Sequence, residues 1–151
     1  MLKENSKAPD FELEGSDGKK HTLKEFNGKI LVLYFYPKDN TPGCTIEAKN
    51  FNKSLDKIRS FGAEVVGVSK DDLNSHNKFC SKYDLKFLLL SDPEGEMIKS
   101  YDAYGDRGIF GMGTLRKTIL IDKKGKVIKV FEKVKPDKHD EEVIEVLKNI
   151  K

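Results

Sequence analysis

Short apolar segments alternate along the chain with segments of mixed polarity, and this pattern predicts a mixed α/β protein. Three apolar runs are too short to span a membrane and are typical of strands buried on both faces. These runs cover residues 30–36, 64–69 and 87–90. Between the first two runs, Phe51, Leu55 and Ile58 recur at helical spacing, which predicts a helix over about residues 42–60 with one apolar face.

The remaining segments predict smaller elements around these strands. Residues 11–13 and 20–23 flank a turn rich in glycine, which predicts a hairpin near the N-terminus. A second helix is expected over residues 72–83, and residues 104–113, with four glycines, predict a mobile or closely packed loop. The chain closes on a hairpin of residues 115–122 and 127–132 and on a helix whose inner face carries Val143, Leu147 and Ile150.

This order of elements predicts one domain over residues 1–151, built on a central mixed sheet with helices on both faces. Right-handed crossovers would make the first three core strands parallel. The later hairpin would add antiparallel strands. The sequence has no internal repeat, low-complexity tract or linker.

Charge and composition narrow the functional classes. The net charge of +3 comes from 28 basic and 25 acidic residues whose signs are interspersed, so a nucleic-acid-binding face is not indicated. No apolar stretch has the length of a membrane helix, and the N-terminus lacks the apolar region of a signal peptide. We therefore expect a cytoplasmic protein with no membrane partner. Two cysteines outside a secreted context suit redox chemistry better than a disulfide-stapled scaffold.

Cys44 lies at the predicted junction between the first strand and the first helix. Pro37 ends the apolar run, Thr41 is the expected N-cap, and Pro42 is the expected first helical residue. Cys44 then falls in the first turn, where unpaired backbone N–H groups and the helix dipole favour a thiolate. The alternative is an inert, buried cysteine. The flanking loop and the polar neighbours favour the reactive thiolate.

The sequence around Cys44 resembles the peroxidatic-cysteine motif of the peroxiredoxins. Residues 35–45 read Phe-Tyr-Pro-Lys-Asp-Asn-Thr-Pro-Gly-Cys-Thr, and Pro37, Thr41 and Cys44 meet the pattern Pro-x-x-x-Thr-x-x-Cys. The segment is especially similar to the peroxiredoxin Q group, also called bacterioferritin comigratory protein. The Ala-Pro-Asp-Phe opening and the Arg-Lys-Thr segment at residues 116–118 are similar as well. The resemblance therefore covers nearly the whole chain.

This resemblance implies a thioredoxin-like fold with an N-terminal β-hairpin extension, and a thiol-dependent peroxidase acting on hydrogen peroxide and organic hydroperoxides. It implies that Cys44 attacks the peroxide and becomes a sulfenic acid. Arg116 would stabilise the thiolate and polarise the peroxide, Thr41 would offer its hydroxyl, and Pro37 would shield the pocket. From the residues alone, Arg116 could equally be a surface charge, and Thr41 could be only a helix cap.

Two further residues near Cys44 are candidates for supporting roles. The backbone N–H groups around Gly43 and Cys44 could donate to the reacting oxygens. Glu47, one turn further along the predicted helix, could support the site or could be only a favourable partner of the helix dipole.

Cys80 is the only other cysteine. Many peroxiredoxin relatives carry a resolving cysteine five residues after the peroxidatic one, but this chain has Lys49 there. Other relatives place it in the helix predicted here over residues 72–83, so the resemblance assigns resolution to Cys80, with a structural role as the alternative. Since a disulfide needs Cα atoms within about 7 Å, we expect oxidation to unwind the Cys44 turn, the Cys80 helix or both. Thioredoxin or a similar dithiol would then reduce the disulfide.

No cofactor or metal is expected. His21, His76 and His139 lack metal-ligand spacing and are expected to be solvated, while Asp71 and Asp72 are typical of helix-start charges. The expected partners are a peroxide and a dithiol protein, and the protein is expected to be a monomer. Two alternatives remain at this stage: a one-cysteine peroxidase resolved by an external thiol, and a redox-sensing interaction module.

Overall fold

The computed structural model describes residues 2–150 and centres on a five-stranded mixed sheet. The strands are β1 (Glu12–Glu14), β2 (Lys20–Thr22), β3 (Ile30–Phe35), β4 (Ala63–Ser69), β5 (Leu88–Ser91), β6 (Tyr104–Asp106), β7 (Met112–Thr114), β8 (Lys117–Ile121) and β9 (Val127–Phe131). The helices are α1 (Pro42–Lys53), α2 (Leu55–Arg59), α3 (Leu73–Tyr83), α4 (Glu96–Ser100) and α5 (His139–Lys148).

The central sheet has the strand order β5-β4-β3-β8-β9. β3, β4 and β5 are parallel, and β8 and β9 are antiparallel to their neighbours. The parallel strands are joined by helical crossovers, as the sequence predicts. Their carboxyl ends meet at one edge of the sheet, and polar loops follow each of them. This edge is where ligands bind in open parallel sheets.

The side chains of β3 divide the core into two layers. Val32 and Tyr34 pack with the apolar faces of α1, α2, α3 and α5. Leu31, Leu33 and Phe35 face the opposite layer, which contains α4 and the N-terminal segment. All six residues of β3 are buried, which explains why the strand is apolar throughout instead of alternating.

Most predicted elements are confirmed. The arrangement is thioredoxin-like, with a mixed sheet flanked by helices and the expected N-terminal hairpin of β1 and β2. The hairpin of β8 and β9 and the closing helix α5 are also present. The predicted apolar face of the first helix is correct, because Phe51, Leu55 and Ile58 are all buried.

Two predictions are wrong in detail. The helix over residues 42–60 is interrupted at Ser54, whose backbone leaves helical geometry and whose hydroxyl donates to Asp140 at the start of α5. Apolar periodicity continues across the break, so the sequence pattern conceals it. Residues 104–113 form the two-stranded sheet of β6 and β7 around a short turn, although a loop is predicted. Two of the four glycines that suggest a loop are strand residues paired with each other, Gly105 with Gly113.

Candidate active site

Cys44 lies where the chain leaves the central strand and enters α1. β3 ends at Phe35, and α1 begins at Pro42, where the missing N–H costs no helical hydrogen bond. Cys44 is in the first turn, as predicted, and is only 1% exposed. The thiol therefore lies at the positive end of the helix dipole and is sheltered from bulk solvent.

Arg116 brings a fixed positive charge to this thiol. Lys117 of β8 pairs with Phe35 of β3, so the preceding residue, Arg116, lies beside the chain as it leaves β3. Its Nη2 donates to Cys44 Sγ at 3.5 Å, and its Nη1 donates to Glu47 Oε1 at 2.8 Å. The planar guanidinium can make both contacts at once. Burial by itself lowers the pKa of Arg116, but the charges and hydrogen bonds of Glu47 and Cys44 outweigh this effect, so the pKa is raised.

Glu47 faces Arg116 from the same side of α1 as Cys44, because the two residues are three positions apart. The side chain is buried, and its Oε2 has no hydrogen-bond partner within the part of the chain that the structure describes. Burial raises the pKa of Glu47 to about 7, although the charge and the hydrogen bond of Arg116 favour the ionised carboxylate. Glu47 thus does more than balance a helix dipole: it holds one side of the guanidinium.

Thr41 and Pro37 lie in the loop that leads to Cys44. Thr41 occupies the N-cap position, but its hydroxyl donates to the carbonyl oxygen of Lys38 at 2.8 Å instead of capping the helix. This corrects the capping prediction: the hydroxyl stabilises the loop itself. Pro37 follows β3 and is half-buried.

Cys80 lies in α3, and both cysteines are free thiols. Its side chain is half-buried and packs against the core layer that contains Cys44. Burial raises the pKa of the Cys80 thiol. The structure therefore places the two cysteines on different intact helices that border one core layer.

The prediction that the histidines are solvated is wrong. His76 and His139 are buried, and His21 is held between the carboxylates of Asp17 and Glu25. Helical spacing could have revealed His76, because it lies three residues before the buried Phe79 on the inner face of α3.

One group of potential metal ligands lies at the same edge of the sheet as Cys44. Ligand-type atoms of Asp39, Asp71 and His76 lie within 4.8 Å of one another. These atoms already accept hydrogen bonds from, or donate them to, neighbouring groups, as with His76 Nδ1 and Asp39 Oδ2 at 2.6 Å. The contacts are those of a hydrogen-bonded network.

Comparison with known proteins identifies the family to which this site belongs. Residues 5–130 match the model of the AhpC/TSA family. The chain belongs to this family. Peroxiredoxin Bcp of Bacillus subtilis is 44% identical over 147 residues, covering 95% of this chain and 94% of that protein. The chain is therefore a peroxiredoxin of the Q, or Bcp, group, and hence a peroxidase.

Solved structures of other peroxiredoxins agree with this assignment. A cysteine-to-serine mutant of PrxQ from Xylella fastidiosa has a TM-score of 0.95 and 33% identity, covering 99% of this chain and 97% of that one. The bacterioferritin comigratory protein of Xanthomonas campestris, described for its alkyl peroxide reduction activity, has a TM-score of 0.88 and 36% identity. That match covers 92% of this chain and 90% of that one. None of the helices within residues 2–150 of this peroxiredoxin combines the length and the hydrophobicity that a membrane-spanning segment requires.

Because Gly43 has no side chain, the guanidinium of Arg116 can lie close to the backbone beside Cys44. A Cβ at position 43 would lie 3.0 Å from Arg116 Nη2 and 3.4 Å from Pro136 Cγ. The substitution Gly43→Ala is therefore expected to displace the guanidinium and to lower kcat/KM for peroxide roughly 10- to 100-fold. Steady-state kinetics would measure this, with Ile46→Ala, an exposed position in the same turn, as the matched control. Equal kinetics for Gly43→Ala and the control would show that the close approach is unimportant.

Proposed function

We propose that this peroxiredoxin reduces hydrogen peroxide and organic hydroperoxides through Cys44, with Cys80 as the resolving cysteine and a thioredoxin-like dithiol as the reductant. The observation that carries the proposal is the contact between Arg116 Nη2 and Cys44 Sγ, 3.5 Å, in the first turn of a helix. A guanidinium and a helix N-terminus both favour the thiolate, which is the nucleophilic form of cysteine.

In the first step, the Cys44 thiolate attacks one oxygen of the peroxide. The S–O bond forms as the O–O bond breaks, and the other oxygen leaves as hydroxide or alkoxide, which takes up a proton to become water or an alcohol. In this proposal, the N–H groups of Arg116 and the backbone N–H groups of Gly43 and Cys44 in the first helical turn stabilise the growing negative charge. Glu47 orients the guanidinium through its 2.8 Å contact.

The loop before Cys44 completes the proposed pocket. Pro37 shields one side of it. Thr41 would donate its hydroxyl to the bound peroxide, which requires the hydroxyl to turn from the Lys38 carbonyl oxygen that it contacts at 2.8 Å. These two assignments follow from the family motif that both residues match.

In the second step, the Cys80 thiolate attacks the Cys44 sulfur. The S–S bond forms as the S–O bond breaks, and the sulfenic oxygen leaves as hydroxide, which takes up a proton to become water. This step prevents further oxidation to the sulfinic acid. The two thiols lie on intact helices, α1 and α3. Local unwinding of one or both helices is therefore part of the proposal. A dithiol partner then reduces the disulfide by exchange.

We also propose that the protein acts in the cytoplasm as a monomer. Two free thiols suit a reducing compartment. A small group of neighbouring exposed apolar residues, Ile109, Phe110 and Met112, falls short of the roughly 20 residues that each side of a stable interface needs.

The substitution Cys80→Ser tests the resolving role. After one equivalent of hydrogen peroxide and blocking of free thiols, intact mass of the wild type is expected to fall by two hydrogens, the signature of a disulfide. Cys80→Ser is expected to gain oxygen on Cys44 and to lose turnover with thioredoxin. A wild type that accumulates sulfenic acid while Cys80 remains free for blocking would contradict the proposal and support the one-cysteine mechanism.

A further inference from the structure

His76 is buried at the junction between the loop before Cys44 and the helix that carries Cys80. It is 0% exposed. Its Nδ1 lies 2.6 Å from Asp39 Oδ2, and its Nε2 lies 2.9 Å from the carbonyl oxygen of Leu90 in β5. A carbonyl oxygen only accepts hydrogen bonds, so Nε2 carries a hydrogen. Asp39 Oδ2 accepts a hydrogen bond from Nδ1–H of the protonated ring. Both ring nitrogens thus face oxygen acceptors, and this arrangement favours the imidazolium form beside a buried carboxylate.

The carboxylate of Asp39 accepts hydrogen bonds from three side chains. Oδ1 accepts from the hydroxyl of Tyr36, and Oδ2 accepts from Ser75 at 2.8 Å as well as from His76. Its backbone N–H donates to Asp71 Oδ2 at 2.8 Å. Because both carboxylate oxygens accept hydrogen bonds, the negative charge of Asp39 is stabilised in the protein interior without a metal ion.

This network joins two segments whose relative position must change before the Cys44–Cys80 disulfide can form. Asp39 belongs to the loop that leads into α1, and Cys44 follows it by five residues. Ser75 and His76 belong to the first turns of α3, which carries Cys80 one turn after His76. Asn40 adds an exposed contact, since Lys82 and Tyr83 of α3 both lie 3.3 Å from its Oδ1. The loop cannot leave α3 without breaking the buried pair.

We infer that the Asp39–His76 ion pair is a positioning tie that keeps Cys44 in its peroxide-reactive turn and whose opening limits formation of the Cys44–Cys80 disulfide. This inference rests on the proposed function for the disulfide step. While the tie is closed, Cys44 is buried beside Arg116. When it opens, Asp39 reaches water with the loop, and Cys44 becomes free to approach Cys80. The residues of the tie do not touch the reacting atoms; they set how often the site opens.

The same pair makes the tie sensitive to pH. Burial disfavours the imidazolium, but the hydrogen bond and the charge of Asp39, with smaller contributions from the Leu90 carbonyl and Asp71, raise the pKa of His76. A histidine whose pKa is raised in the folded state stabilises that state fully below the unfolded value of about 6.5, and the stabilisation is lost as pH rises through the folded pKa. The tie is therefore expected to be strongest below pH 6.5 and to weaken towards alkaline pH.

Two substitutions of His76 separate its hydrogen bonds. His76→Gln places an amide near the position of Nε2 and loses the contact with Asp39, whereas His76→Asn places an amide near Nδ1 and keeps it. In a Cys80→Ser background, reduced His76→Gln is expected to expose Cys44 to a bulky thiol reagent about tenfold faster or more, because a hydrogen bond to a buried charge is lost. His76→Asn is expected to show a smaller increase. If His76→Gln does not fold, the rate of Cys44 labelling in His76→Asn is compared with that in wild type. A faster rate supports the inference, and an unchanged rate overturns it.

Tyr101→Phe is the matched control. It removes one partly buried hydrogen bond, from the Tyr101 hydroxyl to the Pro9 carbonyl oxygen, in the opposite core layer. It is expected to lower stability while leaving the labelling of Cys44 unchanged. In variants that retain Cys80, His76→Gln is expected to form the disulfide faster and to accumulate less sulfinic acid at high peroxide. The advantage of wild type over His76→Gln in stability should also shrink as pH rises above 6.5.

Unchanged labelling of Cys44 in both His76 variants, or equal acceleration in Tyr101→Phe, would overturn the inference. Failure of the proposed function would look different. In that case the wild type would form no disulfide at all, while labelling of the reduced protein would still report on the tie.

Discussion

Replacing Cys44 with serine is expected to abolish peroxide reduction, with a loss on the order of 10³-fold or more, because a neutral hydroxyl does not supply the nucleophile. The substitution preserves the size of a buried side chain beside Arg116. The fold should therefore persist, with only a small change in thermal unfolding. Peroxide consumption with a dithiol reductant measures the loss.

Cys80→Ser is the matched control for this experiment, since it removes the other thiol. It should still consume about one equivalent of peroxide in a single turnover, while Cys44→Ser should consume none. A Cys44→Ser variant that retains multiple turnovers would place the chemistry elsewhere in the chain.

Removing the guanidinium of Arg116 is expected to have the second largest effect. Arg116→Met should lower kcat/KM about 10²- to 10³-fold, the usual loss when a preorganised donor is removed from a developing charge. Arg116→Lys should recover only part of this, because one ammonium does not reproduce a fork that contacts Cys44 Sγ and Glu47 Oε1 together.

The same substitution changes the pH dependence of stability through Glu47. The pKa of Glu47 is raised to about 7, mainly by burial, and Arg116 opposes this shift. A carboxyl whose pKa is raised on folding makes the folded state bind more protons, so stability falls as pH rises from the unfolded value towards the folded one. Without Arg116, the pKa of Glu47 should rise further, and the fall should extend to higher pH.

Chemical denaturation at several pH values would show this, with Glu47→Gln as the control. Glu47→Gln keeps an acceptor for Arg116 but has no titrating group, so its stability should change less with pH than that of wild type. Identical pH profiles for wild type, Arg116→Met and Glu47→Gln would contradict this account of the carboxyl.

The junction that carries Cys44 could be predicted from the sequence because its signals are local. An apolar run, Pro37, Thr41 and Pro42 specify the end of a strand and the start of a helix within a few residues. The structure places β3 and α1 accordingly. Local backbone preferences and burial act together here, so a single sequence is sufficient.

The charged partner of Cys44 could not be predicted in the same way, because Arg116 comes from a distant part of the chain. The contact between Glu47 and Arg116 depends on the register of β3 against β8, which a single sequence does not specify. In the sequence, Glu47 is indistinguishable from an ordinary exposed charge near a helix start. It becomes buried only in the folded protein, where it pairs with Arg116. Only the family resemblance predicted that Arg116 lies at the site.

The pair of Asp39 and His76 was missed for a related reason. Each residue looks solvated in its own segment, a polar loop and a helix rich in polar residues. They become buried only when the loop packs against α3, and the pairing then offsets the cost of removing two charges from water. Similarly, the break at Ser54 depends on Asp140 in the distant α5.

The central claim is that Cys44 is the thiol that peroxide oxidises. It is tested most directly by treating Cys80→Ser and Cys44→Ser with one equivalent of hydrogen peroxide in the presence of dimedone, which traps sulfenic acid, and then measuring intact mass. The account predicts a dimedone adduct on Cys80→Ser, whose only thiol is Cys44, and none on Cys44→Ser. An adduct on Cys44→Ser, with Cys80→Ser unmodified, would make Cys80 the reactive thiol and contradict the account.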